Sequence, residues 1–149
     1  DQLDLLIIDY LQLIKTNQSF GTRDLEIGYI TGELKSLAKE LNTPVILLAQ
    51  LSRPPKGTKI QVPVLSDLRE SGNIEQDADK VIFPHRPSYY DPAATESNGR
   101  TWKNRGVLII GKDREGVKDE KVYFQTDDRF KKIWDENYMP QEKTETPPF

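Results

Sequence analysis

Two apolar runs decide the fold: LDLLIID at 3–9 and VILLAQL at 45–51. Neither run alternates apolar and polar residues, which is typical of strands that are buried on both faces of a parallel sheet. Between them, the segment 23–41 repeats its apolar residues every three or four positions, the spacing of an amphipathic helix. A strand, a helix and a second strand in this order form a crossover unit. The sequence therefore predicts an α/β fold with a mostly parallel sheet flanked by helices.

The second half of the chain predicts further strands. Four short segments have the composition of β-strands, and the second and third of them are expected to pair as a C-terminal antiparallel hairpin. These segments are 80–84, 106–112, 120–125 and 129–134. The last of them predicts an edge strand. Between the first two, the turn-rich stretch 85–105 is expected to form a mobile loop.

The domain organisation follows from the length and from the two ends of the chain. A chain of 149 residues suits one domain. A domain seldom starts with its most buried strand, so we expect residues 1–134 to be part of a larger domain that leaves apolar sheet surface exposed here. Residues 135–149 are acidic and proline-rich, which predicts a disordered tail.

The composition excludes several kinds of site. The chain has no cysteine, which excludes disulfides, thiol catalysis and thiolate metal sites. It has a single histidine, which argues against a zinc centre or a histidine-based triad. No run approaches the ~20 apolar residues of a membrane span. We therefore expect a soluble, cytoplasmic protein.

Charge is unevenly distributed along the chain. The formal net charge is −3, yet residues 53–69 carry a net charge of +3 and residues 100–132 a net charge of +4. Two basic stretches in an acidic chain favour a focused anion site. Solvated charge on loops is the alternative interpretation.

Polar side chains follow both of the first two predicted strands. Asp9 ends the first apolar run and Gln50 lies near the end of the second. Because ligands of open α/β sheets bind at the carboxyl ends of the strands, Asp9 is placed to hold Mg²⁺ and Gln50 to contact a phosphate. An acid that closes a turn and an amide that satisfies loop backbone are the alternatives.

Two further segments are candidates for phosphate binding. Lys112 and Arg114 leave the end of a predicted strand on the same side, a geometry that suits a phosphate chain, although lysine and arginine in hairpin turns are usually solvated. The segment DLRESG at 67–72 offers the cation Arg69 and the glycine Gly72, whose backbone can approach the phosphates of a nucleic acid strand.

Several of these segments, taken in order, resemble the C-terminal ATPase domain of DnaB-type replicative helicases. The segments are LIIDYLQLI (6–14), LKSLAKELNTPVILLAQLSR (34–53), VLSDLRESGNIEQDAD (64–79), GVLIIGKDREG (106–116) and FQTDDRFKKIWDE (124–136). The resemblance spans roughly residues 3–134, and DLRESGNIEQDAD is its most specific part.

The resemblance implies a RecA-like core of the P-loop NTPase type that works in a hexameric ring around single-stranded DNA. The implied activity is that of an ATP-dependent 5′-3′ DNA helicase, with ATP and Mg²⁺ bound between subunits. Primase and a helicase loader are further partners implied for the family. By resemblance, Asp9 corresponds to the Walker B aspartate, which holds Mg²⁺ directly or through water, and Gln50 to the sensor glutamine.

The resemblance also implies roles for five other positions. Lys112 and Arg114 match the pair that reaches the phosphates held by a neighbouring subunit. The channel loop that grips the DNA backbone is matched by Arg69, Glu70 and Gly72.

The sequence departs from the family pattern in two places. The phosphate-binding loop is missing, since no Gly-Lys-Ser/Thr occurs in the 149 residues, and the glutamate that activates water would also precede this segment. The stretch 87–105 is longer than the usual connection. We therefore expect the isolated chain not to hydrolyse ATP. Another RecA-like ATPase and a non-catalytic interaction module remain alternatives.

Overall fold

The computed structural model describes residues 3–52, 62–68, 72–116 and 120–137. Its helices and strands are β1 (Leu6–Ile8), α1 (Arg23–Glu40), β2 (Val45–Leu47), α2 (Gly72–Asp77), β3 (Lys80–His85), α3 (Pro87–Tyr90), β4 (Arg105–Asp113), β5 (Glu120–Thr126) and β6 (Ile133–Asp135). The chain divides into two compact units. The first comprises residues 1–83 and 109–120, and the second comprises residues 84–108 and 121–149.

The first unit contains the predicted crossover. Strands β1 and β2 pair in parallel, with Leu6 opposite Val45 and Ile8 opposite Leu47. Helix α1 connects them and is capped by Thr22, whose hydroxyl accepts a hydrogen bond from the Leu25 amide at 3.4 Å. A side-chain cap of this kind satisfies one of the free amides of the first turn. The parallel pair and the helix between its strands are confirmed.

The core of the first unit lies where α1 meets the strands and α2. Leu11, Ile27 and Ile30 are almost completely buried, and the half-buried Leu47 and Ile74 pack against them. Helices α1 and α2 approach closely at Gly28, where a Cβ atom would lie 2.1 Å from the side-chain nitrogen of Asn73. No helix in the described ranges has the length and apolar character needed to span a bilayer.

The outer face of the parallel pair is exposed. Ile7 and Ile46 face each other across the pair, and their side chains are 58% and 50% exposed. The expectation that both strands are buried on both faces is therefore wrong for this chain. In the described part of the chain, β1 and β2 pair only with each other, and apolar residues cover one face of the pair.

The remaining strands form a separate sheet in the order β3-β4-β5-β6. Strands β4 and β5, expected to form a hairpin, are neighbours, and β6 pairs antiparallel with β5 at the sheet edge. The described strands thus form a parallel pair and a second sheet in place of the mostly parallel sheet that the sequence predicts. No described strand extends the parallel pair, and irregular backbone follows β2 at 48–52.

The stretch 85–105 is more ordered than the sequence predicts. It contains α3 and a β-bridge between Thr95 and Thr101. Arg105 is only 6% exposed, and its guanidinium pairs with Glu96 and Glu136. A buried, doubly paired arginine therefore organises a segment that is poor in aliphatic residues.

The end of the described chain differs from the predicted tail. Asp135 lies in β6, and Glu136 accepts hydrogen bonds from Arg100 and Arg105. Regular structure thus continues past the expected boundary at residue 134. The rest of the predicted tail, residues 138–149, lies outside the described residues.

Candidate functional site

Asp9 and Gln50 lie at the same edge of the parallel pair. The Ile8 carbonyl accepts a hydrogen bond from the Leu48 amide at 3.0 Å, so the chain leaves both strands side by side. Asp9 follows β1 directly and Gln50 follows β2 after two residues, and both residues are exposed. The structure therefore brings these two predicted site residues to one carboxyl edge.

The backbone of Gln50 is fixed by Gln12, a residue that the sequence analysis missed. The Gln12 carboxamide accepts a hydrogen bond from the Gln50 amide at 3.2 Å and donates one to the Gln50 carbonyl at 3.3 Å. Gln12 is the polar residue between Leu11 and Leu13 in a single 3-10 turn, which is the signal that marks it in the sequence. With its backbone satisfied in this way, the Gln50 side chain is left without a hydrogen bond to the described residues.

Asp9 fits a magnesium ion that is held mainly by phosphate. Among the described residues, no group of three or more acidic or histidine side chains is arranged to hold a metal ion. Mg²⁺ is usually bound by one or two carboxylates together with water and substrate phosphates, so it does not need an all-protein cage. The single exposed carboxylate of Asp9, at the end of a strand, suits that kind of binding.

The strand end that carries Lys112 and Arg114 is anchored by Asp113 between them. Asp113 is 8% exposed, and its carboxylate accepts hydrogen bonds from the Lys80 ammonium at 2.8 Å and the Glu115 amide at 2.9 Å. These two hydrogen bonds lower the pKa of the Asp113 carboxyl below its ordinary value. Lys112 precedes Asp113 within β4, and Arg114 is the first residue after the strand.

Lys112 and Arg114 both reach the C-terminal end of α2. The Lys112 ammonium donates to the carbonyl oxygens of Glu75 and Gln76, and the Arg114 guanidinium donates to the Gln76 carbonyl at 2.9 Å. The carbonyls at the end of a helix carry a partial negative charge that favours cations. Both cations thus reach the Gln76 carbonyl, and both have partners within their own chain.

Asp79 is a second partner of Arg114 and was not predicted. Its carboxylate pairs with the Arg114 guanidinium at 2.9 Å and accepts a hydrogen bond from Lys35. The hydrogen bond from Lys35, together with the charges of Lys35, Arg114 and Lys112, lowers the pKa of the Asp79 carboxyl. Both partners are distant in sequence, so no local pattern marks Asp79.

Of the three residues expected to grip DNA, only Gly72 lies within the described residues. It is the exposed first residue of α2, and a Cβ atom placed there would meet no described atom within 4 Å. Packing against the described residues therefore does not require a glycine at this position. Arg69 and Glu70 lie outside the described residues, and their role stays a prediction.

The described candidate residues form two groups within the first unit. One group is Asp9 and Gln50, and the other is Lys112 and Arg114 with Asp79. In the parts of the chain that the structure describes, no hydrogen bond or ion pair joins the two groups.

A scan against family models finds one match along most of the chain. The family described as the DnaB-like helicase C terminal domain matches residues 1–133. Among curated relatives, a probable plasmid replicative DNA helicase of Chlamydia psittaci is 46% identical over 114 residues, which is 76% of this chain and 23% of that protein. The replicative DNA helicase DnaB of Rickettsia conorii is 44% identical over 143 residues, 88% of this chain and 28% of that protein.

Solved structures of similar proteins also match most of this chain. A DnaB-like replicative helicase, described with its interactions with primase, has a TM-score of 0.73 and 40% identity, covering 85% of this chain and 29% of its own. A solved ATPase domain has a TM-score of 0.76 and 36% identity, covering 88% of this chain and 44% of its own. The chain thus spans about a quarter of the length of the curated relatives that it matches.

Proposed function

The chain belongs to the family of DnaB-like helicase C-terminal domains, and from this premise we propose that it is the C-terminal part of a RecA-like ATPase domain. Residues 1–136 form that part, followed by a tail. It works within a longer protein, a replicative helicase of the cytoplasm. The proposed activity is ATP-dependent 5′-3′ unwinding of duplex DNA by a hexameric ring that moves along one strand.

One observation carries the proposal: Asp9 and Gln50 stand together at the carboxyl edge of the parallel pair β1–β2. Nucleotides bind at this edge in open α/β sheets. In the proposed site, the Asp9 carboxylate holds Mg²⁺, directly or through water, and the Gln50 carboxamide contacts the γ-phosphate of ATP. The exposure of both side chains supports these roles.

Lys112 and Arg114 act on a different ATP in this proposal, the one held by a neighbouring subunit. Cations placed on a transferring phosphoryl group stabilise the charge that develops on its oxygens. Their common side on the end of β4 supports this role, since both reach the same carbonyl oxygen of Gln76.

Single-stranded DNA is bound through residues 69–72 in the proposed ring. Arg69 neutralises backbone phosphates, which makes binding salt-dependent and independent of base sequence. The open space around Gly72 supports a close approach of DNA to the backbone there. Glu70 completes this segment. Primase and a helicase loader are the further partners that we propose, and a solved relative is described with primase.

The chain alone does not hydrolyse ATP in this proposal. Phosphoryl transfer needs the phosphate cradle, the metal and a positioned water together. The 149 residues supply the metal carboxylate, the sensor amide and two cations, but no Gly-Lys-Ser/Thr loop. The activity therefore requires the intact protein that carries this chain.

The test uses that intact protein with Asp9→Asn, and Asp4→Asn as the matched control, since Asp4 is an exposed acid that precedes β1. We expect Asp9→Asn to lower DNA-stimulated ATP turnover and duplex unwinding by about 100-fold or more, because the metal loses its carboxylate. Asp4→Asn should leave both rates within about twofold, as for most surface substitutions.

The other outcomes identify the alternatives. ATP turnover that depends on Asp9 without any unwinding would indicate another kind of RecA-like ATPase. Neither activity in the unmodified protein would indicate a non-catalytic interaction module.

A further inference from the structure

Lys112 and Arg114 are held by their own chain in the structure. Arg114 pairs with the Asp79 carboxylate and the Gln76 carbonyl, each at 2.9 Å, and its backbone amide donates to the Asp79 carbonyl, also at 2.9 Å. Lys112 binds the carbonyl oxygens of Glu75 and Gln76. Both cations therefore have anionic or partly anionic partners before any phosphate is present.

These contacts are weak enough to be exchanged. The side chains of Arg114 and Asp79 are 53% and 56% exposed. An exposed ion pair contributes about 0–1 kcal/mol to stability, because water screens it. A polyphosphate carries several negative charges and accepts paired hydrogen bonds from a guanidinium, so it competes well with one carboxylate.

Release of Arg114 takes the partner from no buried group among the described residues. Asp79 keeps its hydrogen bond and ion pair with Lys35, whose side chain is 23% exposed. Glu75 and Gln76, which supply the carbonyl oxygens, are exposed residues at the end of α2. Water can replace the departing cations at each of these groups.

We propose that Asp79 is a positioning residue. It holds Arg114, with Lys112 beside it, at the C-terminal end of α2 until a polyphosphate displaces this contact, which we call the parked contact. The polyphosphate is the triphosphate of a nucleotide held by a neighbouring subunit, and this part rests on the proposed function. The parked contact itself is a property of this chain. Helix α2 begins at Gly72, so the same short helix connects the parking site with the end of the proposed DNA segment.

The test measures binding of inorganic tripolyphosphate to the 149-residue chain by calorimetry. The variant is Asp79→Asn and the matched control is Glu115→Gln. Both remove one negative charge near Arg114, but Glu115 is 85% exposed and its ion pair is with Lys80 at 3.7 Å. We expect Asp79→Asn to tighten binding by about 2–6-fold, since the parked fraction of Arg114 falls. Glu115→Gln should change the affinity by less than about twofold.

The direction of the effect separates positioning from structural damage. A damaged site binds phosphate more weakly, whereas release of a parked cation makes binding tighter. The gain must also disappear in the double variant Asp79→Asn with Arg114→Ala. Equal effects of the two charge-removing variants, or a gain that survives loss of Arg114, would overturn the proposal.

A second measurement needs no substitution and covers the case in which Asp79→Asn does not fold. Tripolyphosphate is titrated into the unmodified chain while NMR follows the Arg114 side-chain nitrogen and the Asp79 carboxylate carbon. We expect both signals to shift together with one binding curve. A shift of Arg114 alone would overturn the parked contact. Neither experiment involves DNA or a ring. The proposed function is tested separately, by measuring duplex unwinding.

Discussion

Two glycines show how strongly the effect of a single methyl group depends on its surroundings. At Gly106 in β4, a Cβ atom would lie 2.3 Å from the ring of Phe124, a buried side chain that is 8% exposed. At Gly32 in the middle of α1, a Cβ atom would meet none of the atoms that the structure describes within 4 Å. The first glycine is required by packing, and the second only lowers the stability of its helix.

We predict opposite signs for the same substitution at these two positions. Gly106→Ala should lower the free energy of unfolding by about 1–3 kcal/mol, because the Phe124 ring must move in a packed sheet. Gly32→Ala should raise it by about 0.5–1 kcal/mol, because alanine loses less conformational entropy in a helix. Denaturant unfolding followed by circular dichroism measures both. A Gly106→Ala chain as stable as the Gly32→Ala chain would show that the close approach of Phe124 is wrong.

At the scale of secondary-structure elements, the junction of α1 and α2 supports the second group of site residues. The Thr31 hydroxyl is buried in α1 and donates to the Asp77 carboxylate of α2 at 2.5 Å. The carbonyls of Glu75 and Gln76, which hold the two cations, lie in the same turn of α2 as Asp77. The position of α2 on α1 therefore determines where the cations are held.

We predict that Thr31→Val weakens this junction. The valine has nearly the same shape but cannot donate to Asp77, so the free energy of unfolding should fall by about 1–3 kcal/mol. The matched control is Ser36→Ala, because among the described residues the Ser36 hydroxyl bonds only to the Gly32 carbonyl within the same helix. Its effect should stay within about 0.5 kcal/mol. Equal losses in the two variants, measured by denaturant unfolding, would mean that the bond to Asp77 does not hold the helices together.

The elements that the sequence predicts well are those with a strong local pattern. The apolar spacing of 23–41 predicts a helix, and α1 is found at Arg23–Glu40. The order of strand, helix and strand predicts a parallel pair, and β1 and β2 pair in parallel. The prediction that those strands are buried on both faces was wrong, because burial depends on what covers the outer face and not on the strands themselves.

Long-range contacts explain what the sequence analysis missed. The order in 85–105 depends on Arg105 and on its partner Glu136, a residue assigned to the tail on composition alone. The shared edge of Asp9 and Gln50 was predictable, since parallel strands end together. Asp79 was not, because its partners Lys35 and Arg114 come from distant parts of the chain.

At the scale of the whole molecule, the chain contains two kinds of site residue that the proposal assigns to two different ATP molecules. In the proposal, Asp9 and Gln50 serve the ATP of their own subunit, whereas Lys112 and Arg114 serve that of the neighbour. A ring built from identical subunits closes by such head-to-tail interfaces, in which each subunit presents one surface to each neighbour. In the proposed ring, the two groups therefore meet between copies of the protein.

The most direct test mixes two inactive forms of the intact protein, one with Asp9→Asn and one with Arg114→Ala. Each form alone should hydrolyse ATP at a small fraction of the normal rate, because every interface lacks one of the two residues. In a ring assembled from equal amounts of both, about a quarter of the interfaces combine an intact Asp9 with an intact Arg114. We expect the DNA-stimulated ATP turnover of the mixture to recover toward that fraction of the normal rate. A mixture no more active than its two components would contradict it.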